Sequence, residues 1–355
     1  MKKRIYAATL ACALFFCMLC SCGKGQNADV HVFYYTFSDT YVSSVRSTLG
    51  GKLSHAGISY QDYDGNGNQT TQTEQIRTAI TKGARVLLVN IVNTGSDDAA
   101  KEIVDLARNA GIPLLFFNRE VSDNVITSYD RCAFVGTRAE EAGMLQGEMV
   151  ADYLLAHYND VDLNNDGVIS YILFKGEEGN NEAIYRTKYS VEKANERLMA
   201  AGKKPLRFYD ASNPTGYHVD QNGQWSSAAA NDYMTTALAS FNAANGNMIE
   251  LVICNNDSMA EGAISALNAA GYNTGGSAPT IPVFGVDATE AAKTLIKDGK
   301  MVGTVQQDAA GMADALALLT SNALVEGKDL MDGTQSLPVD DAVRKIRIPY
   351  GKYLG

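Results

Sequence analysis

The chain has 355 residues, with 30 Lys and Arg against 40 Asp and Glu, a formal net charge of −10. So acidic a surface repels a phosphate backbone, which speaks against nucleic acid as a partner. The length points to two domains, and 46% hydrophobic residues suffice to give each a core.

The first residues read as a targeting segment. Lys2, Lys3 and Arg4 precede an apolar run, Ile5 to Leu19, too short to span a membrane and stay there. It ends in Leu19-Cys20-Ser21-Cys22, similar to a bacterial lipobox with Cys22 as the acylated residue, although Cys20 is an unusual occupant of its position. Residues 1–21 are then a lipoprotein signal peptide and 22–29 a polar tether, which places the protein outside the cytoplasm, lipid-anchored to the cell membrane. Of six cysteines, only Cys132 and Cys254 remain once the leader and the lipid are counted, so no disulfide framework is expected.

From residue 28 onward, strands alternate with amphipathic helices, the pattern of parallel sheets covered on both faces. Val30–Phe37 reads as the first strand, and Val42, Val45, Leu49 and Leu53 mark one face of the helix after it. Strands follow at Arg85–Val92, Ile112–Phe117, Ala133–Val135, Val168–Phe174, Leu206–Tyr209, Ile249–Cys254, Pro282–Val286, Met301–Val305 and Lys345–Pro349. Ala-Gly pairs at Ala56-Gly57, Ala110-Gly111, Ala201-Gly202 and Ala270-Gly271 mark helix ends, with Gly suited to the left-handed position. Helix Glu140–His157 opens a second sheet unit after Val135-Gly136-Thr137.

Two stretches resemble calcium loops. In Asp62-Tyr63-Asp64-Gly65-Asn66-Gly67 the anchoring position is polar Gln69 and position 12 is Thr73, so it reads as a turn-rich loop without metal. In Asp162-Leu163-Asn164-Asn165-Asp166-Gly167-Val168-Ile169-Ser170, oxygen-bearing side chains alternate ahead of Gly and an apolar residue. Leu173 stands where an EF-hand has its Glu, so a last carboxylate has to come from elsewhere in the fold. No nucleophile elbow, P-loop or paired metal histidines occur, and the protein reads as no enzyme. In Asn255-Asn256-Asp257-Ser258, Asp257 or Ser258 reads as a helix N-cap, with Asn256 left pointing into a cleft.

Strands ending in Phe116-Phe117-Asn118-Arg119-Glu120, Cys254-Asn255-Asn256-Asp257 and Val283-Phe284-Gly285-Val286-Asp287, with Tyr129-Asp130 and Gly136-Thr137, make residues 30 to 350 similar to the galactose/glucose-binding proteins of bacterial sugar importers, type I periplasmic binding proteins. The resemblance implies two doubly wound α/β lobes joined by three hinge crossovers, 30–136 with 308–340 and 137–307 with 341–355. It implies a hexose between Tyr41 and Trp225, its hydroxyls held by Asp39, Asn118, Arg186, Asn256 and Asp287. Asn180, Glu182 and Gln307 stand where the family has His, Asp and Asn, which bears on fine specificity. For a structural calcium it implies Asp162, Asn164, Asp166, the Val168 carbonyl, Ser170 and the distant Glu250. The implied partners are the permease and ATPase subunits of an ABC importer, or a chemoreceptor or sensor kinase, and the chain is expected to be a monomer. A pentose or a nucleoside is the other ligand class such a cleft suits. Sugar-operon repressors share the core fold, but they begin with a helix-turn-helix where this chain has its leader.

Overall fold

The computed structural model describes residues 28–355, so the leader, Cys22 and most of the tether lie outside the described residues. The first lobe begins β1 (Val30–Tyr34), α1 (Thr40–His55), β2 (Tyr60–Asp64), α2 (Gln69–Thr81), β3 (Val86–Val89), α3 (Asp98–Ala110), β4 (Leu114–Phe117), α4 (Asp123–Thr127) and β5 (Cys132–Gly136). The second follows with α5 (Ala139–Val161), β6 (Ser170–Lys175), α6 (Asn181–Ala200), β7 (Arg207–Phe208), β8 (His218–Val219), α7 (Ser227–Ser240), β9 (Leu251–Cys254), α8 (Asp257–Ala269), β10 (Val283–Asp287), α9 (Glu290–Lys297) and β11 (Gly303–Gln307). The chain ends with α10 (Ala309–Ala323), β12 (Val339–Asp340), β13 (Lys345–Arg347) and β14 (Tyr350–Tyr353).

These residues form strands because most of them are apolar on both faces. All of β1, β3, β4 and β5 is buried, as a parallel sheet sandwiched between helices requires. The helices bury one stripe each: Val42, Val45, Leu49 and Leu53 of α1 all face the core. Each such side chain contributes about 1.5–3 kcal/mol on burial. Helix α3 stops at Gly111, whose φ of 68° is the left-handed cap that a Cβ would strain.

The first sheet runs β12-β13-β5-β4-β3-β1-β2 and the second β14-β11-β10-β9-β6-β7, with β8 also on β6. Both are parallel except at one edge, where β12 runs antiparallel to β13 and β14 antiparallel to β11. The architecture is thus the expected pair of doubly wound α/β lobes. The chain passes between lobes after β5, between β11 and α10, and at Ile348-Pro349. The last passage corrects the expected boundary at residue 341: Lys345–Arg347 pairs with β5 in the first sheet, and only β14 joins the second. Ile346, buried in the first lobe's core, sets that register. Met312, Leu316 and Leu319 of α10 pack in the same core.

A second correction concerns Asp62–Gly67. Asp62 and Asp64 belong to β2, paired in parallel with Val32 and Tyr34 at the sheet's edge, and the turn begins only at Gly65. Among the described residues, no helix is long and apolar enough to cross a membrane, and Cys132 and Cys254 are both buried and unpaired.

Candidate functional site

The carboxyl ends of β1, β4, β6, β9, β10 and β11 face each other across the gap between the lobes, where open α/β sheets place ligands. Their end residues and the helices they lead into enclose about 360 Å3 of empty space, counted out to its mouth. It is lined by Asp39, Tyr41, Asn118, Asn180, Glu182, Arg186, Trp225, Asn256, Asp287 and Gln307, and by Tyr35 and Arg119, which sequence reasoning left out. No local signal marks those two. Tyr35 only continues a strand end, and the role of Arg119 depends on a partner 58 positions away.

Three lining residues are helix N-caps. Asp39 accepts the Val42 N–H at 2.8 Å, Asn180 that of Ala183 at 3.0 Å and Asn256 that of Met259 at 2.9 Å. The cap of α8 is therefore Asn256 itself, not Asp257 or Ser258. Asp257 sits one residue inside the helix, fully buried, where it accepts from Thr304 Oγ1 at 2.6 Å and the Thr289 N–H at 2.8 Å. Capping fixes each side chain at the cleft, and the positive ends of α1, α6 and α8 converge on it. Three other lining residues sit at positive φ: Asn118 at 62°, Trp225 at 55° and Asp287 at 128°. Backbone held in such regions is strained, and three of the eight described non-Gly residues at positive φ line this cavity.

The indole of Trp225 lies against Gly176, where a Cβ would come within 2.0 Å of the ring. Its Nε1–H donates to Glu177 Oε2 at 3.3 Å. Tyr35 donates to Asp39 Oδ2 at 2.6 Å. Arg186 is held from behind, donating to the Asn255 carbonyl at 2.9 Å, to Gln307 Oε1 at 2.9 Å and to Tyr350 Oη at 3.0 Å, with Asp287 at 4.0 Å. Burial pushes the Asp287 carboxyl well up from its ordinary value, Arg186 opposing and Asp257 and Asp39 adding to the rise. Glu182 is also raised, by burial and then by Glu120.

The cavity walls keep unused capacity. Glu182 Oε2, Arg186 Nε, Gln307 Nε2 and Arg119 Nε are buried without any hydrogen-bond partner. One acceptor and three donors thus stay unpaired on side chains that line a space with three aromatic rings, Tyr35, Tyr41 and Trp225, a combination suited to a neutral polyhydroxylated ring. Contacts across the gap show the lobes closed. Arg119 Nη2 reaches Glu177 at 2.7 Å, the Glu120 N–H donates to Glu182 Oε1 at 3.1 Å, and Asn180 Nδ2 donates to Thr94 Oγ1 at 3.4 Å.

The loop 162–170 lies at the opposite end of the second sheet, leading into β6. Asp162 accepts the N–H groups of Asp166 and Gly167 at 3.1 and 2.9 Å, Asn164 accepts that of Asp166 at 2.9 Å, and Asp166 that of Val168 at 2.8 Å. Glu250, fully buried, accepts the N–H groups of Leu163 and Ser170 at 2.8 Å each and has no cation among its partners. Desolvation raises its pKa. The Ser170 hydroxyl donates to the Met248 carbonyl at 2.6 Å. Among the described residues, no three His, Cys, Asp or Glu side chains gather as a metal site on their own. An ion here would also draw on the Asn164 amide and the Val168 carbonyl. That all-oxygen chemistry and the uncompensated Glu250 fit a hard cation, with Arg207 on the Asp166 carboxylate at 2.7 Å and Lys204 on the Asp166 carbonyl at 3.2 Å as competing charges.

Residues 30–329 match a family model described as a periplasmic binding protein domain. The chain is 33% identical over 353 residues to the D-galactose/methyl-galactoside binding periplasmic protein of Haemophilus influenzae, covering 99% of this chain and 96% of the relative. It is 30% identical to a putative rhizopine-binding protein of Rhizobium meliloti, covering 83% and 79%. Among solved structures, an ABC transporter solute-binding protein from Bacillus halodurans with bound myo-inositol superposes with a TM-score of 0.70 at 25% identity, covering 93% and 96%. One from Clostridium phytofermentans with bound β-D-glucose gives 0.69 at 20% identity, covering 91% and 93%, a likeness of fold.

Proposed function

Because the chain belongs to the periplasmic binding protein domain family, whose members bind solutes and are not enzymes, we propose that it captures a sugar outside the cytoplasm for an ABC importer and that the sugar is a D-galactose- or D-glucose-type hexose. The observation that carries this reading is an interlobe cavity lined by Tyr41, Trp225 and polar side chains, of which Glu182, Arg186, Gln307 and Arg119 each keep a buried polar atom without a partner. The rings stack on the apolar C–H faces of a pyranose, while Glu182 Oε2 accepts a hydroxyl and Arg119, Arg186 and Gln307 donate to others. Asp39, Asn118, Asn180, Asn256 and Asp287 supply the remaining contacts. A charged sugar is disfavoured: Asp39, Glu182 and Asp287 face it, and of the two arginines Arg119 is already neutralised by Glu177.

Calorimetry against D-galactose, D-glucose, D-xylose and myo-inositol tests the reading. One hexose per chain with a change in Trp225 fluorescence is the expected result. Heat from xylose or inositol with none from either hexose would overturn it.

In this reading calcium is structural. Asp162, Asn164, Asp166, the Val168 carbonyl, Ser170 and Glu250 would hold it, pinning the loop before β6 to the start of β9, the strand that leads to Asn256. The lipid anchor is read from Cys22, which mass spectrometry of the native protein should find diacylglyceryl-modified; a free N-terminus further along the chain would end that assignment.

A further inference from the structure

We propose that Glu177 is a positioning residue that ties lobe closure to the orientation of Trp225. It stands outside the cavity, two residues beyond β6, and its single carboxylate joins two groups from opposite sides of the cleft. Oε2 accepts Arg119 Nη2 at 2.7 Å from the first lobe and Trp225 Nε1 at 3.3 Å from its own. Close packing fixes the Glu177 side chain, whose Cγ lies where a Cβ on Gly223 would come within 3.1 Å, at the tip of a turn closed by Asp220 on Ser226. Arg119 is held more tightly than Glu177, whose side chain is 23% exposed. It is 5% exposed, donates to the Val92 carbonyl at 2.9 Å and sits 4.3 Å over the Tyr35 ring, whose hydroxyl binds Asp39. A continuous chain of contacts therefore runs Asp39, Tyr35, Arg119, Glu177, Trp225 around the cavity wall, and the only link that crosses between lobes is the ion pair.

Separation of the lobes has to break that pair and return Arg119 to water. Closure without Glu177 would bury an unpaired guanidinium, which is unfavourable, so the carboxylate biases the lobes toward the closed state and sets the indole in the same event. The proposal rests on Trp225 being the ligand's stacking face, but its test requires no sugar.

The full chain without ligand is used. Small-angle scattering reads the fraction of molecules with lobes together, and Trp225, the single tryptophan, reports its own surroundings by emission. Glu177→Gln is expected to lower the closed fraction at least about fivefold and to shift the emission. Glu178→Gln alters the neighbouring carboxylate, which pairs with Lys175 at 2.6 Å, and is expected to do neither. Either quantity unchanged in Glu177→Gln overturns the proposal. If that variant does not fold, Glu177→Ser removes the same carboxylate while leaving Arg119 to be buried unpaired, and is held to the same change in closed fraction. Wild-type calorimetry judges the sugar separately.

Discussion

Gly176 leaves bare the surface on which the Trp225 indole rests, and a methyl group there would collide with the ring. Gly176→Ala is expected to displace the indole and weaken hexose binding by at least about tenfold in calorimetry, with the fold retained; the loss of one aromatic stack is on the order of 1 kcal/mol or more. Unchanged affinity would mean that the ring is not the ligand's platform. Asp62 gives a prediction of the opposite sign. Burial pushes its carboxyl up to about 6, with Oδ1 lacking any partner. The unfolded chain ionises at the ordinary value of 3.8 and the folded one near 6, so stability present below the lower value is lost as pH rises through the upper one. Asp62→Asn is therefore expected to raise the melting temperature at about pH 7.5, by on the order of 1 kcal/mol of stability after allowing for solvent screening. Near pH 4 the two proteins should melt alike.

At the scale of elements, the loop before β6 is tied to the segment entering β9 by Glu250, a buried carboxylate bound by backbone N–H groups, and by the Ser170 hydroxyl on the Met248 carbonyl. Calcium binding to the folded state alone would raise stability with ion concentration. Chelation is expected to lower the melting temperature, and Glu250→Gln to blunt that response; a melting curve indifferent to chelator in metal-free protein would remove calcium from the account. The elements also show what a sequence makes legible. Val86–Val89 and Leu114–Phe117 are continuous apolar runs, and Val30–Tyr34 is broken only by His31; their burial on both faces leaves one reading. Tyr60–Asp64 was hidden because an edge strand carries polar side chains, here Gln61, Asp62 and Asp64, that read equally well as a turn. β8 and β12, of two residues each, are too short for any periodicity, and β14, Tyr-Gly-Lys-Tyr, lacks an apolar run; all three exist through their partners. The lining residues came from resemblance at strand ends, because caps and strained backbone leave no period to read. Arg119 went unnoticed because its meaning lies in Glu177, across the cleft.

For the molecule as a whole, a saturating hexose should stabilise both lobes together, by about 2.7 kcal/mol at a hundred times the dissociation constant. Calorimetric melting is expected to show one transition moving up with sugar; two transitions of which only one moves would mean that the lobes melt separately. Deletion of the gene should abolish uptake of the labelled hexose, and unchanged uptake would point to a sensing role. The passage at Ile348-Pro349 has a consequence for how the protein is made. Neither lobe is contiguous, since the first is completed by α10 and β13 and the second by β14, whose Tyr350 braces Arg186. Synthesis runs from the N-terminus, so early segments cannot bury their edges while the ribosome still holds the tail. Until Tyr350–Tyr353 emerges, the strand β11 lacks its outer neighbour and the arginine lacks its brace. A nascent chain of this topology is therefore kept unfinished to its last few codons, a state in which a secretion channel that accepts only unfolded polypeptide can still thread it.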